Sequence, residues 1–124
     1  MKILSATLAL PVNDLAKSKE WYRQLFEYPT TTAPAPGVAE LALGPIILQL
    51  HETQNIRSDK ALRLGVKDLD SLHKRLRAAG LPVEDITLVP EVIRYFDFKD
   101  PDGNGLSFYQ MLGESAAMDA ADEA

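Results

Sequence analysis

Apolar and polar positions alternate along most of this chain. In two places the alternation gives way to a period near 3.6, each time at the same kind of strand-to-helix junction. Between residues 3 and 12, Leu4, Leu8, Leu10 and Val12 fall on one face and Ser5, Thr7, Ala9 and Pro11 on the other, which predicts a strand. Asn13 or Asp14 then caps a helix to about Glu27, with Leu15, Ser18, Tyr22 and Leu25 or Phe26 forming one stripe. Residues 28–36 are rich in Thr and Pro, and three prolines restrict any strand there to a sheet edge. Val38–Leu43 and Ile46–Glu52 read as strands around a Gly44-Pro45 turn, followed by a polar connector over 53–59.

The pattern then restarts. Residues 61–67 place Leu62, Leu64 and Val66 opposite Ala61, Arg63 and Gly65. Asp68 caps a second helix with Leu69, Leu72, Leu76 and Ala79 on one face, ended by Gly80 with Pro82 beyond. A strand is predicted over 83–89, and a hairpin over 95–110. In that hairpin, Phe96 and Phe98 alternate with Tyr95 and Asp97, and Leu106 and Phe108 with Ser107 and Tyr109. Its Asp100-Pro-Asp-Gly-Asn104 centre is turn chemistry: Pro101 presets φ, the aspartates can bond nearby N–H groups, and Gly103, Asn104 and Gly105 tolerate positive φ. Val12-Asn-Asp-Leu15 and Val66-Lys-Asp-Leu69 recur 54 residues apart at matching junctions, so two β-α-β-β-β units are implied.

Composition narrows the partners. The chain has 124 residues, one domain's worth, with no apolar run of the roughly 18 residues that a membrane span needs. Asn13 and Asp14 follow the apolar start at once, so it reads as a strand and not as a signal peptide. The absence of cysteine excludes disulfide and thiolate chemistry and fits a cytoplasmic location. A net charge of −5 is concentrated in residues 113–124, which carry four acids and no Lys or Arg. Setting those four aside leaves 14 acidic against 13 basic residues, a net of −1. The body therefore has no basic face for nucleic acid, and the tail is expected to be disordered.

Three segments in order, Leu10-Pro-Val-Asn-Asp-Leu-Ala-Lys-Ser-Lys-Glu-Trp-Tyr-Arg-Gln-Leu-Phe26, Leu72-His-Lys-Arg-Leu-Arg-Ala-Ala-Gly80 and Phe96-Asp-Phe-Lys-Asp-Pro-Asp-Gly-Asn104, resemble the vicinal oxygen chelate superfamily. This is also called the glyoxalase/bleomycin resistance/dioxygenase family. The resemblance implies an α+β fold of two βαβββ modules, about 1–56 and 57–112, in a single domain over 1–112. Their sheets form a cup with helices outside, often completed by a second subunit as a homodimer. It further implies that Leu8, Leu10, Val12, Leu62, Leu64, Val66, Phe96, Phe98, Leu106 and Phe108 face the helices. The ligand-facing set is then Thr7, Ala9, Ile47, Gln49, His51, Arg63, Tyr95, Asp97, Ser107, Tyr109 and Met111, with the parity around 46–52 open to a slip of one residue.

Metal-dependent relatives draw His, Gln or Glu from the first and fourth strands of each module. Here those positions read Thr7, Gln49, Ala61 and Ser107, and a lone amide does not hold a divalent ion. No metal and no cofactor is therefore expected. Of the two histidines, His73 is expected to be a solvated helix residue and His51 a pocket or rim residue. Arg63 and Asp97 share the ligand face, either as a buried ion pair or as a pair that reads ligand charge. Tyr95, Tyr109, Met111 and Ile47 supply flat or adaptable apolar surface. The expected function is metal-independent binding of a small organic molecule, in the manner of bleomycin resistance proteins. One alternative is a lyase, isomerase or ring-cleaving dioxygenase with a relocated metal site using His51 and Gln49 with Glu40 or Glu52; another is a partner-binding module.

Overall fold

The computed structural model describes residues 1–55 and 61–113. The predicted acidic tail beyond Gly113 and the end of the 53–59 connector lie outside the described residues. The chain divides into two units, Met1–Lys60 with Pro101–Asn104, and Ala61–Asp100 with the residues from Gly105 onward.

The first unit runs β1 (Ala6–Val12), α1 (Leu15–Leu25), β2 (Thr31–Ala35), β3 (Val38–Leu43) and β4 (Ile46–Glu52). Its four-stranded sheet has the order β1-β4-β3-β2, with β1 parallel to β4 and the other neighbours antiparallel. The strand starts at Ala6, not at residue 3, because its register with β4 begins at Ala6↔Ile46, just after Pro45. Leu10, Val12, Leu41, Leu48 and Leu50 pack with Tyr22 and Leu25 of α1 to form the core. Leu8, expected on the same face, is left exposed. Leu48 and Leu50 are fully buried, so the parity of β4 did not slip.

The second unit repeats the arrangement with β5 (Ala61–Gly65), α2 (Leu69–Ala78), β6 (Thr87–Val89), β7 (Ile93–Lys99) and β8 (Gly105–Met111) in the order β5-β8-β7-β6. Phe96, Phe98 and Phe108 cluster with ring centres 5.8–6.0 Å apart and pack with Leu62, Leu69 and Leu76. The strand predicted over 83–89 is shorter than expected. Only Thr87–Val89 pairs with β7, while Val83 is buried instead and the Glu84 N–H bonds the Asp97 carbonyl.

The two helix starts are built alike. Asp14 and Asp68 cap α1 and α2 by accepting from the N–H groups of Lys17 and Ser71, both at 3.1 Å. One residue later, the N–H of Leu15 donates to the Glu52 carboxylate at 2.8 Å, and that of Leu69 to the Gln110 amide oxygen at 3.1 Å. Glu52 lies opposite Val12 in the register, and Gln110 directly follows Tyr109, the partner of Gly65. The V-x-D-L echo is thus the visible part of a longer device that includes the end of each unit's last strand. Two bonds from Ser71 hold the Asp68 carboxyl below its ordinary pKa, and Arg94, at 2.6 and 2.9 Å, does the same to Asp70.

The Asp-Pro-Asp-Gly-Asn segment does more than turn. Only Gly103 uses a positive φ there, 86°. Asn104 is fully buried and donates to the Pro11 carbonyl at 2.9 Å, while Asp102 accepts from the Asn13 N–H at 3.1 Å and from Ser18 Oγ at 3.3 Å. These side chains anchor the β1–α1 junction.

Candidate functional site

In each sheet one face packs on its helix and the other is open. Residues in register across the open face form rows, and the 54-residue repeat makes the rows of the two units comparable. In the first unit Ala9, Gln49 and Glu40 are in register across β1, β4 and β3. Their counterparts in the second unit are Arg63, Ser107 and Asp97 across β5, β8 and β7.

The first row is internally satisfied. Gln49 Nε2 donates to Glu40 Oε2 at 2.8 Å, and Gln49 Oε1 is in hydrogen-bond contact with His51 Nε2. Thr7 and Ile47 form the adjoining row with Ala42. Thr7 and His51 are exposed, and Ile47 and Gln49 half-buried. The amide of Gln49 has thus committed its oxygen to His51 and its nitrogen to Glu40.

The second row is not satisfied. Arg63 and Asp97 are both exposed and do not form an ion pair, so the buried-pair reading of these residues does not hold. The Arg63 guanidinium instead reaches across the sheet to 6.0 Å from the centre of the Tyr95 ring. Between them Ser107 is 6% exposed, and its hydroxyl has no hydrogen-bond partner among the described residues. Buried polar atoms almost always find a partner, and leaving one without costs about 1–3 kcal/mol.

These groups line an open concavity of about 580 Å³ contained within the second unit. Arg63, Tyr95, Asp97 and Ser107 lie on its wall, as do Lys99 and Glu84, neither of them in the expected ligand-facing set. Lys99 was legible, since it shares the parity of Asp97 and Tyr95. Glu84 was not, because it arrives from the loop after α2. Tyr109 and Met111 are half-buried on the same strand face but lie outside the concavity lining. The Tyr109 ring covers Gly65, where an added Cβ would stand 3.0 Å from Cε2, so a side chain there requires the ring to shift by a few tenths of an ångström.

His73 departs from expectation. It is half-buried, meets the Phe96 ring edge-on at 4.7 Å between centres, and its Nε2 bonds the Glu84 carbonyl at 2.8 Å. The helix thereby fixes the loop that carries Glu84 to the concavity.

The donor chemistry does not fit a divalent metal at the positions the family would use. Thr7, Ala61 and Ser107 offer at most neutral hydroxyls, and Gln49 is engaged on both ends. Among the described residues no three His, Cys, Asp or Glu side chains group as a metal site. No described helix is long and apolar enough to cross a membrane.

The model of the Glyoxalase/Bleomycin resistance protein/Dioxygenase superfamily matches residues 4–108. Among solved structures, the chain is similar to TnmS3, an antibiotic binding protein from Streptomyces sp. CB03234, at 25% identity and a TM-score of 0.73, covering 86% of this chain and 94% of that one. It is also similar to a glyoxalase/bleomycin resistance protein from Catenulispora acidiphila, at 23% identity and a TM-score of 0.75 over 88% and 99% of the two chains. A lactoylglutathione lyase from Agrobacterium tumefaciens shares 21% identity at a TM-score of 0.72 over 85% and 91%. No curated protein matches the sequence.

Proposed function

The chain belongs to the Glyoxalase/Bleomycin resistance protein/Dioxygenase superfamily, and from that premise we propose that it binds a small organic molecule without the help of a metal. The observation that carries this reading is the row Arg63, Ser107 and Asp97, polar groups held on the wall of a concavity with no partners among themselves. Such groups are what a binding site presents to fix the orientation of a ligand against an apolar wall. Ligand contact is assigned to Arg63, Tyr95, Asp97 and Ser107, flanked by Tyr109 and Met111. In the first unit, Thr7, Ile47, Gln49 and His51 form the ligand-facing set. The likeness to an antibiotic binding protein supports sequestration of a toxic or antibiotic-like compound. The protein is proposed to act in the cytoplasm as a homodimer, with no nucleic-acid or membrane partner and no cofactor.

The test is metal analysis of untagged protein together with a thermal-shift screen of flat and aromatic compounds, charged and uncharged. The expected result is substoichiometric metal and a reproducible rise in Tm with some members of the set. Stoichiometric Ni, Zn, Fe or Mn that is needed for turnover would contradict the reading.

A second reading draws on the contact among Glu40, Gln49 and His51. Rearranged, these side chains are the available ligands for a relocated ion in a lyase, isomerase or dioxygenase. If His51→Ala leaves metal content and all turnover unchanged, that reading fails.

A further inference from the structure

The wall of the second unit's concavity is graded along the strands, and the gradient specifies a class of ligand. On β7 the open-face residues run Ile93, Tyr95, Asp97, Lys99, from apolar through aromatic to charged. Val89 of β6 stands in register with Ile93 at the apolar end. The middle of the gradient is the row of Arg63, Ser107 and Asp97. Residues two apart on a strand are separated by roughly 6.5–7 Å, so Tyr95 lies about one aromatic ring and a short linker from the polar row, with Ile93 and Val89 as far again beyond it.

The polar row reads two kinds of group. The exposed Arg63 guanidinium makes no ion pair among the described residues and suits an anionic oxygen, and the Tyr95 ring, 6.0 Å from it, offers aromatic surface to a ring. The exposed Asp97 carboxylate has no ion pair among the described residues, and the buried Ser107 hydroxyl between them has no hydrogen-bond partner among those residues. A purely cationic ligand leaves Arg63 unmet, and a purely anionic one leaves Asp97 unmet.

Resting on the binder reading above, we propose that this concavity takes aryl-bearing carboxylic acids that carry a hydroxyl or amino donor next to the carboxylate. The ring lies on Tyr95 on the side toward Ile93, the carboxylate meets Arg63, and the neighbouring donor meets Asp97, with Ser107 bonding the head between them.

The probes are 3-phenyllactate, its methyl ester, and 3-phenylpropionate, which lacks the hydroxyl. Each is titrated into the full chain with amide chemical shifts as the readout. Phenyllactate is expected to shift β5, β7 and β8 amides and to bind about tenfold more tightly than its ester, the usual worth of one charge-assisted bond. Its advantage over phenylpropionate is expected to be smaller, about threefold to tenfold. Arg63→Gln should abolish the preference for acid over ester, and Asp97→Ala should abolish the preference for the hydroxyl while leaving the first preference in place. Both residues are exposed, so the variants are expected to fold, and their amide spectra report it. If the ester binds as well as the acid, or Arg63→Gln leaves the preference intact, the inference is overturned while metal-free binding stands. Absence of binding by all three probes also overturns it. Only stoichiometric metal required for turnover brings down the binder reading as well.

Discussion

The two open sheet faces are counterparts in a repeat, yet they treat their polar groups in opposite ways. In the first unit the central row closes on itself: Glu40 takes a bond from Gln49, and Gln49 contacts His51. In the second, Arg63, Ser107 and Asp97 occupy the same register positions and leave one another alone. A closed network contributes to stability and rigidity. An open one contributes little to folding and keeps its hydrogen-bonding capacity for something else. The unsatisfied row is accordingly where the proposed ligand contact is placed.

The most disruptive way to break the comparison is at Gly65. A valine there places its Cβ about 3 Å from the Tyr109 ring, and Gly65→Val is expected to cost about 1–3 kcal/mol by overpacking. Chemical denaturation checks the cost, and ring-proton shifts of Tyr109 report the displacement. Next come the two helix starts, which extend the likeness between the units. Glu52→Ala removes a charged acceptor from the Leu15 N–H and Gln110→Ala a neutral one from the Leu69 N–H. The first is expected to cost about 1.5–3 kcal/mol and the second about 0.5–1.5. Equal losses would erase the difference drawn between charged and neutral acceptors.

The central contrast is sharpened by a matched pair. Gln49→Ala strands both Glu40 and His51 and is expected to lower stability by about 1 kcal/mol. Arg63→Ala, which breaks no ion pair among the described residues, should stay within about 0.5 kcal/mol of the parent. Ser107→Ala removes a buried hydroxyl that has no partner among the described residues and should hold or raise Tm while weakening ligand binding. The smallest effect concerns acid. Hydrogen bonds from Ser71 and Arg94 hold Asp68 and Asp70 below the ordinary aspartate pKa, so their contribution is present in full well above the unfolded value. It is lost as pH falls through the lowered folded values. The Tm difference between wild type and Arg94→Gln should accordingly be constant near neutrality and shrink only below about pH 4.

Much of the fold was legible because strand faces follow from alternation, and the V-x-D-L echo marked both junctions. What escaped was the work of single side chains at a distance. His73 reads as solvated on a helix wheel, but its partner, the Glu84 carbonyl, comes from a loop 11 residues later. Asn104 reads as a turn residue, yet its burial against Pro11 depends on where the hairpin tip lands. The candidate site was legible in the same measure. Parity placed Arg63, Asp97 and Ser107 on one face, while rotamers decide whether a guanidinium meets a carboxylate or an aromatic ring, and no pattern encodes that choice.

The most direct measurement follows amide chemical shifts while 3-phenyllactate is added to protein stripped of metal by a chelator. The account expects perturbations concentrated at Arg63, Tyr95, Asp97 and Ser107, unchanged in size by the chelator. Binding that requires a divalent ion, or perturbations concentrated instead around Glu40, Gln49 and His51, would contradict it.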